Sequence, residues 1–219
     1  MNRDETVGTT VLGRPIEAIV FGPPKYARPR PPAVIFGAIH GDEPATRIQA
    51  ERLIEELIDR PPGRETWIIP VVNVDGLLAG TKNNARDVDL NRNFAAVNWA
   101  PTAGGGYGPG AAPESEPETQ ALVALIERVG AHRLIALHAT YRLMNWDGAG
   151  RVLAEEMARL AGYPAAADIG YPTPGSFGSK YGRDRGLEVV TVEVPYLDGD
   201  ERAWTDTRAA LRWAVDLPS

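Results

Sequence analysis

Four largely apolar runs constrain this chain more than any other feature. AVIFGAI (33–39), TWIIPVV (66–72), RLIAL (133–137) and LEVVTVEV (187–194) read as strands. AVIFGAI is a continuous apolar run, typical of a strand covered on both faces. PIEAIVFG (15–22) reads as a further short strand, and the Pro/Arg-rich segment 23–32 as a loop. Helical stretches lie between the runs. After Pro44, the residues Ala50, Leu53, Ile54, Leu57 and Ile58 make one apolar face, which Pro61-Pro62-Gly63 ends. Ser115-Glu116-Pro117-Glu118 has a capping-box pattern and opens a helix with Ala121, Leu122, Leu125, Ile126 and Val129 inward. A helix near 150–161, a Gly/Pro-rich loop over 162–179 and a C-terminal amphipathic helix anchored by Trp204, Leu211 and Val215 complete the pattern. Strands alternating with helices predict an α/β fold with a largely parallel sheet covered on both faces. With 219 residues, no repeat and no linker, one domain over 1–219 is expected.

Composition narrows the function classes. The formal charge of −6, with no basic run, argues against a nucleic-acid surface and against an anionic membrane. The absence of cysteine excludes disulfides, thiolate metal sites and a cysteine nucleophile. No stretch reaches the roughly 20 apolar residues of a membrane helix. Met-Asn-Arg-Asp-Glu is followed by no apolar segment, so a secretory signal is not expected and the reading is a cytoplasmic enzyme.

In open α/β sheets, active sites gather beyond the carboxyl ends of the strands. His40, His138 and Glu193 all lie at such ends, and they include two of the three histidines. A catalytic zinc takes three protein ligands and keeps one position open. His40 and Glu43 are three residues apart across a glycine-containing turn, and His138 follows Glu43 by 95 residues (138 − 43) from another strand. A close pair with a distant third ligand suits such an ion, although a lone His-x-x-Glu also arises from capping or ordinary polar pairing. Glu193, in TVEVP, has two readings: a strand-end carboxylate paired with an arginine, or a general base beside a metal. His132, between a helix end and a strand, reads as a C-terminal cap. Residues 73–115 show little periodicity, and a long irregular region in a compact domain is often functional.

Asn73-Val74-Asp75-Gly76 followed by Asp89-Leu90-Asn91-Arg92-Asn93-Phe94 resembles the signature of the zinc carboxypeptidases of the carboxypeptidase A superfamily. HGDE (40–43), ALHA (136–139) and TVEVP (191–195) match, in the family's order, the segments bearing the first two zinc ligands, the third ligand and the catalytic glutamate. NFAAVNW (93–99), SEPETQAL (115–122) and GYPTPGSFGS (170–179) narrow the resemblance to the murein peptide amidases. These bacterial enzymes cut the γ-D-glutamyl–meso-diaminopimelate bond of cell-wall peptides in the cytoplasm, during recycling. The family fold is a mixed, mostly parallel sheet between helices.

The resemblance implies one zinc per chain, held by His40, Glu43 and His138. Glu193 would be the general base and then the proton donor to the leaving amine. Asn91 and Arg92 would bind the carboxylate next to the scissile bond, for which an arginine offers a planar fork. Asp89 would orient a zinc histidine. Lys82 stands where the family usually carries an arginine that polarises the scissile carbonyl, so it keeps the charge without the fork. Asp87 replaces a common glycine, which predicts a reshaped loop, and Val74 replaces a common proline. Tyr141 and Trp146 are either pocket-lining or packing residues. The implied partner is a small cell-wall-derived peptide. Other readings share the ligand pattern: a general metallocarboxypeptidase on L-peptides, a deacylase of the succinylglutamate or aspartoacylase type, and a peptide-binding module without catalysis. A purely structural zinc normally has four ligands and favours cysteine.

Overall fold

The structure is a computed structural model that describes residues 2–23, 29–101, 107–195 and 200–216. Its strands are β1 (Asn2–Thr9), β2 (Pro15–Phe21), β3 (Ala33–Phe36), β4 (Thr66–Ile69), β5 (Arg133–Thr140), β6 (Leu143–Gly148), β7 (Ala165–Ala166) and β8 (Glu188–Pro195). They form one sheet in the order β1-β2-β4-β3-β5-β8-β6-β7. The four apolar runs are the parallel centre, β4-β3-β5-β8. Antiparallel pairing of β1 with β2, β2 with β4 and β6 with β8 makes the sheet mixed.

Alternation along the central strands feeds two cores. Ile35, Ile68, Ile135, Val190 and Val192 face α1 (Pro44–Asp59), α4 (Arg151–Ala161) and α5 (Asp200–Ala214). Val34, Phe36, Ile69, Leu134 and Ala136 face α3 (Pro117–Val129) and the aromatic cluster Phe94, Phe177 and Tyr181. Phe177 meets Phe36 at 4.8 Å and Phe94 at 5.4 Å between ring centroids, both edge-on. This packing pins the DLNRNF segment and the π-helical turn Gly178–Asp184 to the sheet, beneath the site.

Several expectations need correction. β3 and β4 stop three residues early because the chain turns at Ala38, which holds φ 42° with its N–H on Thr46 Oγ1 at 2.7 Å, and at Pro70. The first residues, to which no element was assigned from the sequence, form the edge strand β1. A short helix, α2 (Val74–Ala79), and the strand β6 were also missed. Val74 takes the first helical position, where proline is merely favoured, so its substitution is easily accommodated. The capping box does not form: the cap of α3 is Glu116, without a side-chain bond. Glu118 instead accepts from Val11 N–H at 2.9 Å and Asn84 Nδ2 at 3.1 Å, so tertiary contacts outcompete the local one. Ile58 is exposed rather than inward. His132 caps nothing. Gly130, at φ 62°, closes α3 by donating to Ile126 and Glu127 carbonyls, the left-handed role that glycine fills without strain.

Candidate active site

His40 follows a central strand, and His138 and Glu193 lie near the carboxyl ends of β5 and β8. His40 follows β3, with Gly41 between it and the acidic pair. A Cβ on Gly41 would lie 2.1 Å from the Gly76 carbonyl carbon, and one on Gly76 would lie 2.3 Å from Asn73 Nδ2 and 2.6 Å from the Asn83 carbonyl oxygen, so HGDE and NVDG each need their glycine, for different close contacts. Glu43 occupies the cap position of α1 yet makes no side-chain bond to the helix. Its carboxylate turns to the site, where Oε1 lies 2.9 Å from His40 Nδ1 and Oε2 lies 3.3 Å from His138 Nδ1. His138 and Glu193 are register partners on the adjacent parallel strands β5 and β8.

One ligand atom each from His40, Glu43 and His138 lies within 4.8 Å of the others. The imidazole centroids are 4.9 Å apart. Two nitrogens and one carboxylate oxygen are a donor set suited to zinc. Asp89, fully buried, takes the far nitrogen of His40 at 3.0 Å through Oδ1 and the Lys82 ammonium at 2.5 Å through Oδ2. Such a carboxylate fixes the ring and leaves Nδ1, on the Glu43 side, as the nitrogen that would hold an ion. Burial works against charge on these groups, but pairing outweighs it. Asp89 and Glu43 hold His40 up at about 9. The histidines bring Glu43 down to about 2, and His40, Lys82 and Arg92 hold Asp89 well below the usual carboxylate range. The cluster is therefore built to take positive charge.

Glu193 differs. Burial raises its carboxyl above the ordinary range, against the opposing pull of His138 and of the Tyr141 N–H. Its Oε2 is buried and has no hydrogen-bond partner. A raised, singly unpaired carboxylate beside a three-ligand cluster fits a site that receives an ion and its water. The Tyr141 N–H is a partner of this carboxylate and Oε2 stays unpartnered, which favours the general-base reading over the ion pair.

His40, Glu43, His138, Glu193, Lys82, Asn91 and Arg92 all line one cavity of about 200 Å³. Arg92 is buried, with Nη1 on its neighbour's carbonyl at 2.8 Å and its guanidinium over the Tyr107 ring. Asn91 is partly committed: Oδ1 accepts from Phe177 N–H at 2.9 Å, and Nδ2 lies 3.4 Å from His138 Nε2. Lys82 reaches the cavity wall, but its ammonium is tied to Asp89 and lies over Tyr107 at 3.9 Å. Asp87 keeps the backbone a glycine would take, at φ 59°, because Asn83 Nδ2 binds its carboxylate at 2.8 Å. Tyr141 lines the cavity, whereas Trp146 packs against the core. Tyr107, Asn145, Asp147, Tyr171 and Arg183 also line it, although no motif or spacing singles them out as site residues. Only Tyr171 carried a signal, through its place in GYPTPGSFGS.

A profile of the zinc carboxypeptidase family matches residues 2–153. The chain belongs to the zinc carboxypeptidase family. It is 34% identical to murein peptide amidase A of Escherichia coli K12 over 209 residues, covering 90% of this chain and 83% of that protein. Its fold matches the crystal structure of murein-tripeptide amidase MpaA from Escherichia coli O157 with a TM-score of 0.80 at 31% identity, over 99% of this chain and 93% of that one. Carboxypeptidase A from Helicoverpa armigera shares the fold, with a TM-score of 0.80 at 18% identity over 98% of this chain and 68% of that one. This zinc carboxypeptidase is thus a hydrolase with a His-Glu-His metal site.

Proposed function

We propose that the chain is a murein peptide amidase. In this reading it hydrolyses the γ-D-Glu–meso-diaminopimelate bond of cell-wall-derived peptides, with one zinc per chain, in the cytoplasm, as part of peptidoglycan recycling. The observation that carries it is the convergence of His40, Glu43, His138 and Glu193 on one cavity in a chain 34% identical to such an amidase over nearly its whole length.

His40, Glu43 and His138 hold the ion. The chemistry a zinc ion would supply there is that of a Lewis acid, which would lower the pKa of water toward about 7. Glu193 takes the water proton on Oε2, its unpaired oxygen, and returns it to the leaving nitrogen. A carboxyl raised by burial suits both transfers near neutral pH. Arg92, with the remaining N–H of Asn91, grips the substrate carboxylate and sets the carbonyl in place. An ammonium has three donors. Lys82 uses one to hold Asp89 and offers positive charge to the carbonyl oxygen as it becomes negative.

The test is hydrolysis of L-Ala-γ-D-Glu-meso-diaminopimelate, an L-tripeptide and an N-acyl amino acid, with and without chelator. The first alone should be cleaved efficiently, and chelator should abolish it. Preferred cleavage of the L-tripeptide or of the N-acyl amino acid would replace the amidase with a general carboxypeptidase or a deacylase. Zinc bound without hydrolysis of any would mean a binding module. Cell fractionation tests the location, since activity in a membrane or external fraction would contradict it.

A further inference from the structure

The cavity continues well past the metal ligands. β6 runs antiparallel to β8 with Leu143 opposite Glu193, Asn145 opposite Thr191 and Asp147 opposite Val189. Glu193, Thr191, Asn145 and Asp147 all line the cavity. At ~3.3 Å of strand rise per residue, Asp147 lies four residues, or roughly 13 Å, below the level of Glu193. Arg183, from the π-helical turn, meets it there, with Nε on Asp147 Oδ1 at 2.7 Å. The wall is cut away for this carboxylate: a Cβ on Gly178 would sit 2.1 Å from Asp147 Oδ2, and one on Gly182 2.2 Å from Asp147 Cβ. The Asp147 side chain is only 9% exposed, while that of Arg183 is 51% exposed. Among the described residues, Asp147 Oδ2 accepts no hydrogen bond and the Nη groups of Arg183 donate none.

A buried acceptor and an open donor pair, side by side at the far end of a deep cavity, match a ligand that carries both charges. We propose that Asp147 and Arg183 are specificity-determining residues. They read an ammonium and a carboxylate together at the tip of the leaving residue's long side chain, Asp147 taking the ammonium and Arg183 the carboxylate. This rests on the amidase reading and deepens it, because diaminopimelate ends in that zwitterion. A leaving residue with an apolar tip would cover the pair without satisfying it, which is how polar pockets reject such analogues.

Three γ-D-Glu tripeptides that differ only in the leaving residue test this with the zinc-loaded protein. meso-Diaminopimelate carries both charges, L-lysine the ammonium alone and L-2-aminopimelate the carboxylate alone. Wild type should favour the first by at least about tenfold in kcat/KM, the discrimination expected of one charge-assisted hydrogen bond. Arg183→Gln should lower the diaminopimelate and aminopimelate peptides by a similar factor and spare the lysine peptide. Asp147→Asn, which keeps the shape, should lower the diaminopimelate and lysine peptides and spare the aminopimelate peptide. Calorimetric binding of free meso-diaminopimelate should weaken in both variants. Equal losses on all three peptides, or no loss, would overturn the recognition role while leaving the amidase reading intact. If wild type cleaves none of the three, the amidase reading itself fails and this inference falls with it.

Discussion

The two ends of the cavity are built on different principles. At the ligand end, His40, Glu43, His138, Asp89 and Lys82 are linked to one another by hydrogen bonds at the ends of the buried parallel strands. At the far end, Asp147 and Arg183 share a single hydrogen bond and are reached through an antiparallel strand and a π-helical turn. At the first end the ligand residues are held by one another, and only Glu193 keeps an unpartnered oxygen. The second keeps polar atoms unused and awaits a substrate. Preorganisation serves chemistry at one end, and residual hydrogen-bonding capacity serves selection at the other.

Substitutions can separate the two ends. Glu193→Gln removes the proton acceptor and nothing else, so turnover should fall about 100- to 10,000-fold. Metal analysis should still find zinc, and a near wild-type rate would reassign the base. Asp89→Asn loosens the His40 ring and should weaken zinc binding by about 10- to 100-fold, as loss of a carboxylate behind a metal-binding histidine does. An unchanged zinc Kd would show that Asp89 does not orient the ligand. Gly178→Ala acts at the other end, since its Cβ would press on Asp147 Oδ2 at 2.1 Å. It should lower kcat/KM for the diaminopimelate peptide by about tenfold, a displacement effect, with zinc affinity untouched. Loss of zinc in this variant would mean that the two ends are mechanically coupled.

The smallest effect concerns protons. His40 is held up at about 9 in the metal-free protein, so it is charged at neutral pH and zinc must displace its proton. Calorimetry at pH 7 in buffers of different ionisation enthalpy should register about one proton released per zinc. No release would mean that His40 is already neutral. The same pairing stabilises the metal-free fold. The His40 contribution is complete below its ordinary 6.5 and lost as pH rises through about 9. The Glu43 contribution is complete above its ordinary 4.5 and lost as pH falls through about 2.

The contrast also explains what could be read without a structure. The ligand end was legible because His40 and His138 each close an apolar strand, and strand ends are where such sheets place chemistry. Asp147 and Arg183 are 36 residues apart (183 − 147), and nothing in their spacing joins them. Only the pairing of β6 on β8 and the π-helical turn bring them together. β1 was missed because NRDETVGT is a mostly polar edge strand with no apolar alternation. α2 was hidden by its length of six residues within an irregular region. The capping box over Ser115–Glu118 misled because distant partners at Val11 and Asn84 claim Glu118. The capping rule thus failed where distant segments compete for the same polar atom.

Zinc titration of the metal-free protein, followed by hydrolysis of L-Ala-γ-D-Glu-meso-diaminopimelate, tests the central claim most directly. Activity should be absent after chelation, rise in proportion to added zinc and level off at one equivalent per chain, with His138→Ala inactive throughout. Hydrolysis by the chelated protein, or full activity in His138→Ala, would contradict the account.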